Sequence, residues 1–132
     1  MDWLSILGWS KRQIDDLRFI GYRYAKEGHY ETAITFFRAL IAVDPSSVYD
    51  LQTLGALYLQ LGRNAEAMKY LDRSLQLNPN HYPTLLNRAK ALLSLGYKQQ
   101  GIRQAEQIIR CKDKTIAGQA QALIMAYGAA AR

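Results

Sequence analysis

The stretch that decides the fold runs from Val48 to Pro79 and reads VYDLQTLGALYLQLGRNAEAMKYLDRSLQLNP. Gly62 divides it, because a helix commonly ends in a left-handed residue that only glycine adopts without steric cost. Its landmarks recur outside it at one interval. Gly28, Gly62 and Gly96 stand 34 residues apart, and so do Leu17, Leu51 and Leu85, or Ala33, Ala67 and Gly101. Pro45 and Pro79 close two of the units, with Asp113 where a third proline would fall. Units of this length, each a helix, a glycine turn and a second helix, bury their apolar faces only by stacking on one another. The chain is therefore read as one all-α domain, a solenoid of three helix-turn-helix repeats at 14–47, 48–81 and 82–114. A short N-terminal segment (1–13) caps one end, and a C-terminal capping helix (115–132) covers the other.

Composition agrees with this. With 132 residues, 49% of them hydrophobic, the chain is long enough for a continuous core and too apolar for disorder. The lone Cys111 has no partner for an internal disulfide, which suits a reducing compartment. No apolar run approaches the roughly 20 residues of a membrane span. The opening MDWLSILGWSKR carries Asp2 and no leading basic region, so it does not read as a secretion signal. The expectation is a cytoplasmic protein. Its net charge of +6 is uneven: nine Lys/Arg balance nine Asp/Glu up to Pro79, and eight stand against two from Asn80 onward. Such asymmetry suits an acidic partner. Without aromatics interleaved among the basic residues, it does not suit nucleic acid.

Taken in order, Trp3, Leu7 and Trp9 form an apolar cluster too large to leave wet, either a cap over the first repeat or a self-association or partner surface. In the first repeat a helix from about Ile14 ends near Glu27, and the next begins near Tyr30. Asp15 and Asp16 are placed in the first turn, where they complement the helix dipole. Gly21 and Ala33 mark the close crossing of the two helices. Ser47 and Asp50 resemble a capping box that restarts the chain after Pro45. The third repeat is the least regular, since Gly101 within a helix costs about 1 kcal/mol relative to alanine. The last helix is uncharged from Thr115 to Ala131.

Signals of chemistry are missing. The sequence holds no phosphate loop, no dinucleotide fingerprint, no His-Glu-x-x-His pair and no nucleophile elbow. His29 and His81 fall in turns without a second ligand at metal spacing. The chain is therefore expected to be no enzyme and to need no metal or cofactor.

The 34-residue interval, with small residues, aromatics and a terminal proline in this order, is the signature of the tetratricopeptide (TPR) repeat. Stacked hairpins of this kind leave a concave channel lined by the first helix of each repeat. In this register the channel residues are Arg18, Tyr22 and Ala25, then Tyr49, Gln52, Ala56 and Leu59, then Leu86, Lys90 and Leu93. Such a list suits an extended apolar peptide. The TPR proteins that hold a free C-terminus use lysine, asparagine and arginine at fixed positions; here those positions carry Arg18, Tyr22, Thr53, Pro83 and Asn87, so that clamp is largely absent.

Two segments carry a narrower likeness. RYAKEGHYETAITFFRALIAVDP in the first repeat and LGALYLQLG in the second are similar to the pattern of TPR chaperones of bacterial type III secretion, the class serving translocator proteins. The resemblance implies a cytosolic chaperone that keeps a secreted client, a translocator, a needle protein or another export substrate, soluble in the concave groove. It also implies homodimerisation through the N-terminal region, although residues 1–13 are shorter than that region usually is in the family. The other reading of the fold is a general scaffold for assembling a larger complex.

Overall fold

The computed structural model describes residues 8–130, with side chains described through Gly128. Seven helices follow one another along them: α1 (Lys11–Lys26), α2 (Tyr30–Val43), α3 (Val48–Gln60), α4 (Asn64–Leu77), α5 (Tyr82–Ser94), α6 (Lys98–Ile108) and α7 (Lys114–Ala130). No strand occurs among the described residues. Each helix packs on the next, so the chain is an all-α TPR solenoid: α1/α2, α3/α4 and α5/α6 are hairpins, and α7 lies across α5 and α6. No described helix is long and apolar enough to cross a membrane.

The hairpin turns share one construction, clearest at Gly62. Its φ of 75° lies in the left-handed region, which lets its N–H reach the Leu59 carbonyl at 3.0 Å while that of Arg63 reaches Tyr58 at 2.9 Å. These are the two bonds of a Schellman closure, and they satisfy carbonyls that the helix end would leave unpaired. Gly28 and Gly96 repeat the geometry at φ 85° and 91°.

Small residues set how closely the two helices of a hairpin approach. A methyl group placed on Gly55 would lie 2.5 Å from Leu71, and one on Gly21 would lie 2.9 Å from Phe36 and 3.0 Å from Phe37. Phe37 and Leu71 are fully buried and have nowhere to go. In the third hairpin the small residue moves to the second helix. There Gly101 faces Leu93, whose side chain lies 2.6 Å from where a methyl would sit. The glycine read as a weakness of α6 is thus the space that receives Leu93.

The first two repeats share one core around Phe37, Leu40, Leu51, Leu54 and Leu71. A second core joins Leu86, Ala89, Ala105 and Ile108 to Ala120 of α7.

Two local expectations are corrected. α1 begins at Lys11, not near Ile14, because Ser10 accepts from the Gln13 N–H and the Gln13 side chain accepts from the Ser10 N–H. Asp15 and Asp16 consequently stand in its second turn, away from the unpaired N–H groups they were to complement. Ser47 makes no side-chain cap. Its supposed partner Asp50 is buried and committed to an arginine of the preceding repeat.

Candidate functional site

That arginine is Arg18. Its Nε and one terminal nitrogen each meet a different oxygen of Asp50 at 2.8 Å, and the other terminal nitrogen meets Asp15 at 2.9 Å. Asp50 is wholly buried, while the Arg18 side chain keeps 26% of its exposure. Planar, two-pronged contact with a carboxylate is the strongest form of this pairing. The bond to Asp50, outweighing the cost of burial, raises the pKa of the guanidinium further above its ordinary value. Arg18 is therefore a fastener between the first two repeats rather than a free contact on the channel floor.

With α1 fixed to α3 in this way, their concave faces and that of α5 enclose a hollow of about 400 Å³. Tyr22 and Ala25 line it from α1; Tyr49, Gln52 and Ala56 line it from α3. Tyr22 and Tyr49 remain 43% and 45% exposed. Neither ring is loose: Lys26 lies 5.6 Å over the Tyr22 ring, and Tyr49 leans on the buried Phe37 at 6.4 Å between centroids.

The other channel candidates lie elsewhere. Leu86 is 4% exposed, because α7 closes over the end of the third repeat and draws it into the second core. Leu93 is 5% exposed, sunk into the gap at Gly101. Leu59, at the same register one repeat earlier, packs half-buried against the first core. Lys90 is half-buried and does not line the hollow. Trp3 and Leu7 fall outside the described residues. Trp9 is half-buried against the first core and borders a separate hollow with Gln13, Asp16 and Leu17.

Sequence reasoning missed part of the wall. Tyr30 reaches it from α2, and Gln60 from the last position of α3. Thr53, Pro83 and Asn87 stand at positions of the carboxylate clamp, and all three line the hollow, as does Thr84 at the head of α5. His81 lines it as well. Its Nδ1 lies 2.6 Å from the Thr84 hydroxyl, and burial pushes its pKa down. Turn residues between stacked helices are carried on to the concave side, and a turn signal alone does not reveal that.

The wall holds tyrosines, amides, hydroxyls and one histidine kept toward its neutral form, and no Lys, Arg, Asp or Glu. Such a surface accepts apolar side chains on its rings and backbone amides on its polar groups. Among the described residues no three His, Cys, Asp or Glu gather to hold a metal.

Comparison with known proteins adds the following. The family described as "Anaphase-promoting complex, cyclosome, subunit 3", a TPR-type family, matches residues 26–108. The solved structure of PcrH, a protein of Pseudomonas aeruginosa, in complex with the chaperone binding region of PopD is similar at a TM-score of 0.84 with 22% identity, over 95% of this chain and 98% of that one. The Yersinia enterocolitica type III secretion chaperone SycD, in complex with a peptide of the translocator YopD, is similar at a TM-score of 0.82 with 20% identity, over 93% and 98%. In sequence, the BBSome complex member BBS4 of Bos taurus is 33% identical over 73 residues, which is 54% of this chain and 14% of that protein. The chain spans 7–14% of the length of the curated relatives it matches.

Proposed function

Since the chain belongs to the TPR-type family described as "Anaphase-promoting complex, cyclosome, subunit 3", we propose that it is a protein-binding module acting as a cytoplasmic chaperone of the type III secretion kind. It holds an extended, apolar, uncharged segment of a secreted client between α1, α3 and α5. The observation that carries this reading is the uncharged, tyrosine-lined hollow. A charged peptide would give up water there without gaining a partner. An apolar segment gains burial worth about 1.5 to 3 kcal/mol per large side chain, before the cost of ordering it. The likeness in fold to PcrH, solved with the chaperone binding region of PopD, and to SycD, solved with a peptide of YopD, supports a role in holding a client segment.

The test is co-expression with the proteins encoded beside this one. One of them should stay soluble and copurify, and Tyr22→Ala with Tyr49→Ala should weaken the complex about tenfold or more. Failure of every neighbour to copurify, or a silent double variant, would end the proposal.

A second reading, a general scaffold in a larger assembly, draws on the outward side of α1. Phe19 is 62% exposed there, beside Ile20. It expects Phe19→Ser to abolish binding while the two tyrosine substitutions change nothing.

A further inference from the structure

Charges on the outer side of the solenoid are unevenly matched. α4 carries two carboxylates, Glu66 and Asp72. Arg63 takes the first at 2.8 Å, and Arg88 of α5 takes the second at 2.7 Å. The cations of α4 itself, Lys69 and Arg73, are left without an ion pair among the described residues.

Both are nonetheless held in place. Lys69 Nζ lies 5.5 Å and the Arg73 guanidinium 5.8 Å from the centroid of the Tyr70 ring, and Arg73 also donates to the Pro45 carbonyl at 3.5 Å. Tyr70 is stacked on Tyr58, with centroids 5.5 Å apart and planes at 4°. Burial raises the pKa of the Tyr58 hydroxyl, and the charge of Arg38 on α2, from the preceding repeat, opposes that shift; Arg38 is exposed and has no ion pair among the described residues. A cation resting on a ring gives up part of its hydration and mobility while its charge stays available to a partner. Lys69 and Arg73 thus rest on one ring of a buried stack, the paired Arg63 lies 5.1 Å over the other, Arg38 adds its charge from the preceding repeat, and the carboxylates of α4 are engaged elsewhere. Arg103 on α6, 34 residues on from Lys69 and exposed, continues the row.

We infer that this outer face, centred on Arg38, Lys69 and Arg73, docks an acidic stretch of a partner protein. Charge complementarity selects the partner, since an acidic segment supplies the carboxylates that the surface lacks. A protein fits better than nucleic acid, because Tyr58 and Tyr70 are 2% and 8% exposed beneath the cations and offer no free face to a base. The cations stand on α2 and α4, whereas the hollow is walled mainly by α1, α3 and α5, so both surfaces can be occupied at once.

The experiment titrates the full chain into a fluorescein-labelled peptide of alternating Asp, Glu and Ser at low ionic strength, following anisotropy. Arg38→Glu/Lys69→Glu/Arg73→Glu should weaken binding roughly tenfold or more. Lys11→Glu/Arg12→Glu/Arg23→Glu, with the same change in net charge on α1, should weaken it less than about twofold. Should the first variant fail to fold by circular dichroism, the corresponding triple glutamine variant replaces it, with a loss of at least about threefold. Equal losses in the two triple variants would reduce the effect to net charge and overturn the inference, as would no binding by the unaltered protein. A single-stranded oligonucleotide binding more tightly than the peptide at the same salt would assign the face to nucleic acid instead, and overturn it too.

Discussion

The junction between the first two repeats and the closed end of the third use one register position in opposite ways. Arg18, Gln52 and Leu86 are equivalent residues 34 apart. The first is drawn sideways on to buried Asp50, the second faces the hollow, and the third is sealed beneath α7. Asp50 is itself matched one repeat later by Thr84, which takes His81 as neighbour instead of an arginine. Repetition thus decides which way a residue points. What stacks on it decides whether anything from outside can reach it.

The sharpest way to break this comparison is at the polar fastener. Arg18→Ala leaves a fully buried carboxylate without its cation, and removing one partner of such a pair costs about 3–5 kcal/mol. Urea denaturation should show a correspondingly lower midpoint. Arg18→Met with Asp50→Leu, which removes both charges, should return most of the loss. A cost under about 1 kcal/mol for the single variant would mean that the pair does not join the repeats.

Next in size is the contrast between equivalent residues. Leu86→Ala empties a site under α7 and should cost about 2–4 kcal/mol of stability. Gln52→Ala should stay within about 0.5 kcal/mol, because the amide faces an open wall. If both variants unfold at the same denaturant concentration, the closed end and the open groove are energetically alike, and the distinction fails.

Smaller again is the effect at Gly101. Gly101→Ala forces a methyl against Leu93, an overpacking cost of about 1–3 kcal/mol that alanine's better helix propensity offsets by roughly 1 kcal/mol. In a Leu93→Ala background the side-chain clash is gone, leaving a 3.3 Å approach to the backbone nitrogen of residue 93 beside the propensity gain. The same substitution should then cost less than in the parent, a coupling that a thermal-melt double-mutant cycle reads directly.

How much of this was legible follows from what kind of signal each feature leaves. The repeat, the glycine turns and the close crossing at Gly21 and Ala33 were plain, since each is a local requirement written at a fixed interval. Tyr22, Tyr49, Gln52 and Ala56 were placed on the wall of the hollow by register alone. Arg18 and Asp50 were not paired, because nothing local links residues 32 apart on different helices. Asp50 three places after a serine looked like a cap. Leu86 and Leu93 were misplaced for a related reason: their register is that of the groove, and only the docking of α7 and the gap at Gly101 remove them from it. His81 was read as a turn residue, which it is, but the stacking of the third repeat also makes the turn part of the wall.

His81 offers the finest test, because it distinguishes that wall from an ordinary turn. Burial disfavours its protonated form, so its pKa in the folded chain lies below the ordinary 6.5. Between those two values the unfolded chain binds more protons than the folded one, so stability falls as pH drops through that window. Above 6.5 both states are neutral at this residue, and it contributes no slope. His81→Asn removes the titration, so the difference in urea midpoint between parent and variant should be constant above pH 7 and should shift in the variant's favour as pH falls below about 6.5. Comparing the two chains cancels the carboxylates, which titrate in both. A protonated His81 would also place a cation among wall residues that otherwise include none, so an apolar client held there should loosen over the same interval. A midpoint difference that stays flat through acid pH would return His81 to the solvent, and with it the claim that the third repeat's turn belongs to the groove.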